Sequence, residues 1–133
     1  MRLPILLIAG LLSSSAAVAQ ECDRSDESQA GVNICAHEDY KTVDAKLNET
    51  YGEIMKRLSD DPDGRKLLQA AQRAWIAFRD AECDFSTAGS QSGSIYPTLM
   101  SGCLQSLTEA RTEQLGGYLE CDEGDMSCPV PTE

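Results

Sequence analysis

Leu67-Leu68-Gln69-Ala70-Ala71-Gln72-Arg73-Ala74-Trp75-Ile76-Ala77-Phe78-Arg79-Asp80-Ala81-Glu82-Cys83 is the stretch on which the fold turns. Leu68, Ala71, Trp75 and Phe78 recur at steps of three, four and three, the spacing of one face of an α-helix. Their shared stripe is expected to face a core. Trp75, the sole tryptophan, is accordingly read as a packing residue, although tryptophan is also a common interface anchor. Upstream, Tyr40, Val43, Leu47, Tyr51, Ile54 and Leu58 mark the stripe of a longer helix that starts near Gln29. Asp60-Asp61-Pro62-Asp63-Gly64 separates the two, because proline lacks the helical donor and restricts the residue before it. The same turn restarts the chain as a helix, with Asp61 as N-cap and Pro62 in the first helical position.

The second helix is expected to end near Phe85. Ser86 to Ser94 is rich in serine and glycine, has no apolar period and reads as a loop. A third helix should begin between Ile95 and Pro97, with Met100, Leu104, Leu107, Arg111, Leu115 and Tyr118 on its inner stripe and Leu99 and Cys103 on the neighbouring face. Gly116-Gly117 weakens its end. No alternating pattern competes, so the expectation is an all-α, three-helix domain.

Residues 1–19 have the form of a secretory signal: Arg2, an apolar run from Leu3 to Leu12, and Ala17-Val18-Ala19 as an A-x-A cleavage site. The run falls well short of the ~20 residues that span a bilayer, which argues against membrane insertion. Gln20-Glu21 precedes Cys22, and these are not the small residues a lipidation site requires. A soluble protein of the bacterial periplasm or medium is expected. Cleavage after Ala19 leaves 114 residues (133 minus 19), room for one domain, 20–133.

All six cysteines follow the expected cleavage point, and in an exported chain of this size they read as three disulfides. Zinc is the competing reading, but it needs close Cys or Cys/His pairs, and His37 stands two residues from Cys35 with no second cluster nearby. No metal or other cofactor is expected. Spacing alone does not choose among the possible pairings.

The chain carries a net charge of −11, and loss of Arg2 leaves 10 basic against 22 acidic residues, or −12. Such a surface repels nucleic-acid phosphates and anionic membranes. It attracts cationic partners, mainly through encounter rate and with salt sensitivity. Plain solubility is the competing explanation. Arg79, Asp80 and Glu82, with Asp44 and Arg111, superficially suggest a catalytic cluster. There is no activated nucleophile, phosphate loop or metal signature to support one, and the lone His37 anchors no triad. Asp44, Arg79 and Arg111 are expected instead to make structural polar contacts where helices converge, since the planar guanidinium joins carboxylates and carbonyls efficiently. Asn48-Glu49-Thr50 matches a glycosylation sequon, but its position within a helix of a bacterial protein gives it no weight.

Three motifs occur in order: D-x-x-L-N-x-x-Y from Asp44 to Tyr51, A-Q-x-x-W-x-x-x-R-D-x-x-C from Ala71 to Cys83, and C-x-x-x-x-T-x-x-R from Cys103 to Arg111. Over about Cys22 to Leu119 the chain resembles the small secreted helical domain of LprI-type lysozyme inhibitors. The resemblance implies a protein that binds lysozyme, or another cationic protein, without being an enzyme. It also supports Cys22–Cys35, tying an N-terminal extension to the first helix, and Cys83–Cys103, stapling the serine/glycine loop at its base. Cys121 and Cys128 then remain as a pair, in an acidic tail (121–133) beyond the resemblance.

A polar loop held on a rigid scaffold is a frequent binding element and loses little entropy on docking. Hydroxyls of Ser90, Ser92, Ser94 and Tyr96 are candidates to meet the catalytic carboxyl groups in a lysozyme cleft. A solvated connector is the competing reading of the loop, and the acidic Cys121–Cys128 loop is a second candidate surface. The rival function is a periplasmic interaction module for a basic envelope protein or peptide, with no anti-lysozyme activity. An enzyme acting on peptidoglycan comes last, for want of a catalytic constellation.

Overall fold

The computed structural model describes residues 21–132. The expected signal segment 1–19 and the expected first mature residue, Gln20, lie outside the described residues. Three helices make up the fold: α1 (Gln29–Arg57), α2 (Pro62–Thr87) and α3 (Tyr96–Gly117), with a short 3₁₀ turn at Ala88–Ser90 and no strand among the described residues.

Helix starts follow local chemistry. The Ser28 side chain caps α1 by accepting from the Gly31 amide at 3.1 Å. Gly31 is required there, because a Cβ would come within 2.5 Å of the Asp26 carbonyl oxygen. Asp61 caps α2 by accepting from the Gly64 amide at 2.9 Å, directly before Pro62. The end of α1 is fixed to α2 and to the segment just after α3: Arg65 donates to the Met55 carbonyl, and Arg57 donates to the Leu119 carbonyl at 3.3 Å.

α1 and α3 run parallel and pack most closely, with α2 returning between them in sequence and lying mainly against α3. Contacts at both ends show the parallel arrangement. Asn33 near the start of α1 accepts from Thr98 near the start of α3 at 2.6 Å, while Arg57 and Leu119 meet at the far end. Leu47, Ile54, Leu58, Leu115 and Val130 form the buried apolar cluster, with Tyr51, Leu68, Trp75, Tyr118 and Leu119 packed around it. Val130 arrives from beyond α3, and at 4% exposure it closes the end of the bundle.

Two features differ from the sequence reading. Ala71 and Phe78 do not face inward: Phe78 is 55% exposed, and α2 instead buries Gln72, Arg79, Cys83 and Thr87. Guanidinium stems, an amide and a disulfide fill the space between the helices, so the inward face of α2 is polar and displaced from its apolar stripe. Helix α2 also continues through Ser86 and Thr87, where a loop was expected. Both hydroxyls donate back to the Cys83 carbonyl, at 3.3 Å and 2.7 Å, and Thr87 is buried. This local bonding, next to a cross-linked cysteine, extends the helix by one further half-turn.

Candidate functional site

The conspicuous polar assembly is a seam where all three helices meet. Arg79 of α2 is 9% exposed; its guanidinium bonds Asp80 at 2.8 Å and 2.9 Å and approaches Asp44 of α1 at 3.5 Å. Its guanidinium carbon also lies 5.1 Å from the Trp75 ring centroid and 5.8 Å from that of Tyr40. Arg111 of α3 approaches Trp75 too, at 6.0 Å, and donates to the buried Gln72 amide oxygen at 3.1 Å. The indole therefore serves both cations, a favourable use of its π-face in a partly desolvated seam. Burial pushes the Arg111 pKa down from its ordinary value and pushes the Tyr40 phenol up, against the opposing field of Arg79.

This arrangement joins helices. Asp44 and Asp80 both face Arg79, which ties α1 to α2 through one guanidinium. His37 is exposed, its nearest aromatic contact being Tyr40 at 6.3 Å between ring centroids. Among the described residues, no group of three or more His, Cys, Asp or Glu side chains is placed to hold a metal ion. The six cysteines are joined as Cys22–Cys35, Cys83–Cys103 and Cys121–Cys128, with Cα–Cα distances of 4.7, 5.6 and 5.9 Å.

The stapled connection lies at the opposite end of the bundle from Val130. It is more ordered than a plain loop, because Gly93 donates to the Ser90 carbonyl at 2.8 Å and Tyr96 to the Gly93 carbonyl at 3.1 Å. Asn33 of α1 clasps it by donating to the Ser94 carbonyl at 3.0 Å, while the Asn33 side-chain oxygen accepts from Thr98 and from Gln29. Ser92 and Ser94 are exposed, whereas Ser90 and Tyr96 are half-buried. The four candidate contact residues thus share one short segment, but they do not present equal surfaces.

A cleft of about 500 Å³ opens at the far end, lined by Ile54, Leu58, Leu68, Tyr118 and Val130, with Arg111 and Asp61 at its margin. Sequence reasoning did not anticipate it, because Val130 belongs to no periodic segment. Gln72, Tyr40 and the Asn33 clasp were likewise missed as polar partners. Gln72 had a usable signal: it is an amide one turn before Trp75, inside the second motif.

Comparison with known proteins places this architecture in a family. The family model described as lysozyme inhibitor LprI matches residues 20–115, and the chain belongs to that family. The protein R02472 of Rhizobium meliloti (strain 1021) is 39% identical over 111 residues, covering 75% of this chain and 80% of that protein. YecT of Escherichia coli (strain K12) is 28% identical over 116 residues, covering 75% of this chain and 72% of its own length. Both relatives are described as uncharacterized proteins. The crystal structure of a DUF1311 family protein from Pseudomonas putida KT2440 shares the fold, with a TM-score of 0.62 at 24% identity over 68% of this chain and 93% of that one. No helix among the described residues is long and apolar enough to cross a membrane.

Proposed function

We propose that the protein is an exported lysozyme inhibitor that acts non-covalently in the bacterial periplasm or medium and protects the cell wall. Membership of the LprI family carries this reading. In it, residues 1–19 are a cleaved signal, residues 20–133 are one domain, and 121–133 form its acidic, disulfide-closed tail. A charge of −12 after loss of Arg2, 10 basic against 22 acidic residues, steers the domain toward a cationic enzyme.

The contact surface in this proposal is the connection between Cys83 and Cys103. Its support is the exposure of Ser92 and Ser94 on a segment fixed by a disulfide and by Asn33, so that little order remains to be imposed on binding. Hydroxyl groups both donate and accept, and so match a cleft in which one catalytic carboxyl group is protonated and the other ionised.

The test is a lysozyme inhibition assay using oxidised protein that begins at Gln20, against several lysozyme classes. Saturable inhibition that weakens with added salt is expected. Replacing Ser90, Ser92 and Ser94 together by alanine should reduce inhibition and leave the circular dichroism unchanged. Retained inhibition in that variant moves the contact surface elsewhere. Absence of inhibition by the unaltered protein overturns the proposal and leaves an interaction module for another basic partner.

A further inference from the structure

Helix α2 turns Gln72, Arg79 and Cys83 inward and leaves bare a face about a third of a turn round, whose first residues, Leu67 and Ala71, also border the far-end cleft. On the bare face Leu67, Ala71, Ala74, Phe78, Ala81 and Phe85 alternate at steps of four and three, and every one is exposed. Leu67 is 73% exposed, Phe78 55% and Phe85 80%. Scattered apolar residues on a surface need no explanation, but a continuous stripe of them does. A period of about 3.5 residues is the seam by which one helix packs along another.

The order of charges along α2 indicates what covers the seam. Arg65, Lys66 and Arg73 outnumber Asp63 in its first half, and Asp80, Glu82 and Asp84 outnumber Arg79 in its second. The last turn holds no basic residue. This order opposes the helix's own dipole, which favours acidic groups at the start and basic groups at the end. A second α2 running the other way offsets this, because each net-acidic half then lies beside a net-basic half.

Side-chain sizes agree with that direction. With a two-fold axis level with residue 76, Leu67 meets Phe85 of the second copy, Ala71 meets Ala81, and Phe78 enters the space left by Ala74. Phe78 packs against Ala74 beside the axis, the small Ala71 and Ala81 let the backbones approach, and Leu67 and Phe85 close the two ends; the contact is the same from both sides, as a two-fold interface requires. Asp84 comes within two residues, about 3 Å along the axis, of the level of Lys66 of the second copy, on the same flank of the stripe. We propose that the protein forms an antiparallel, two-fold dimer through the Leu67–Phe85 face of α2. The proposal does not depend on lysozyme binding.

Sedimentation velocity of the oxidised protein beginning at Gln20, at moderate salt, tests it. A concentration-dependent monomer–dimer equilibrium is expected, since one helix pair makes a small interface. Phe78→Glu should give only monomer with an unchanged helical spectrum, because Phe78 contributes nothing to the core. Asp84→Lys should weaken the dimer about tenfold, and adding Lys66→Glu to the same chain should restore it, as only antiparallel pairing brings those positions together. The proposal is overturned by a monomer up to about 1 mM, the weak end of specific association. A dimer indifferent to Phe78→Glu, or one that the double charge exchange fails to restore, overturns it equally.

Discussion

The guanidinium carbon of Arg79 lies 5.1 Å from the centroid of the Trp75 ring, one turn away on the same helix. Asp44 from α1 and Arg111 from α3 converge on this pair, so residues of all three helices meet around one indole. The closest packing in the fold is between α1 and α3. The seam helps to hold α2 to that pair, together with the disulfide, the Arg65–Met55 bond and the packing of Leu68.

Arg111→Ala is expected to destabilise the protein by about 2–3 kcal/mol, because Gln72 is left buried without its donor. Arg79→Ala should cost about 1–2 kcal/mol, since its carboxylate partners are more exposed and regain water. Urea denaturation followed by tryptophan fluorescence measures both. A variant that keeps the original stability but loses partner binding would transfer that arginine from the scaffold to the contact surface.

The Cys83–Cys103 staple closes a separation of 20 residues, and in the chain-entropy account it is worth on the order of 3 kcal/mol. The double variant Cys83→Ser/Cys103→Ser should therefore melt well below the unaltered protein while remaining helical. An unchanged melting temperature would show that the Asn33 clasp alone holds the connection.

Thr108 is fully buried on α3, and its hydroxyl has no hydrogen-bond partner. Thr108→Val keeps the shape and removes the stranded polar group. A gain of about 1 kcal/mol is expected, read as a rise in denaturation midpoint. A loss of stability would reveal a partner for the hydroxyl, such as a buried water.

The Asp39 carboxylate is held below its ordinary pKa chiefly by the hydrogen bond from Arg24, and the Asp23, Asp26 and Asp125 carboxylates by bonds from nearby serines. A carboxylate with a lowered folded-state pKa contributes stability above its unfolded value of about 4. That contribution disappears as pH falls through the folded-state values. All four groups lie at the surface, so the acid loss is expected to be shallow and to diminish with salt. Asp39→Asn should flatten part of it in a series of melts against pH. Tyr40 acts oppositely: burial raises its pKa, so its contribution holds below about pH 10 and fades as pH rises toward the folded-state value.

Element boundaries were legible where backbone chemistry is local. Asp61 is a capping residue and Pro62 favours the first turn of a helix, and α2 starts there; α1 starts at Gln29 as its stripe implied, with Ser28 as the cap the structure adds. Orientation about the helix axis was less legible. Apolar spacing on α2 gives a stripe through Ala71 and Phe78, but packing selected the polar line through Gln72 and Arg79, because long guanidinium stems bury well when their heads are paired. Thr87 illustrates a related gap. Its composition reads as loop, while a back-bond to Cys83 keeps it helical. For the candidate contact segment, position was readable from composition, but the unequal exposure of Ser90 and Ser92 depends on turns that no residue pattern announces.

Val130 has a temporal consequence. It follows every helix in the chain, yet belongs to the same apolar cluster as Leu47 and Ile54 of α1. A ribosome that has already released α1, α2 and α3 has therefore not yet supplied everything the bundle needs. Until residue 130 emerges, Ile54, Leu58 and Leu115 lack one of their packing partners, and a nascent chain halted after α3 should remain a preferred target for chaperones and proteases. Completion of the fold waits on a segment made after all three helices, and the bundle is better suited to closing in one late step than to folding helix by helix as it is made.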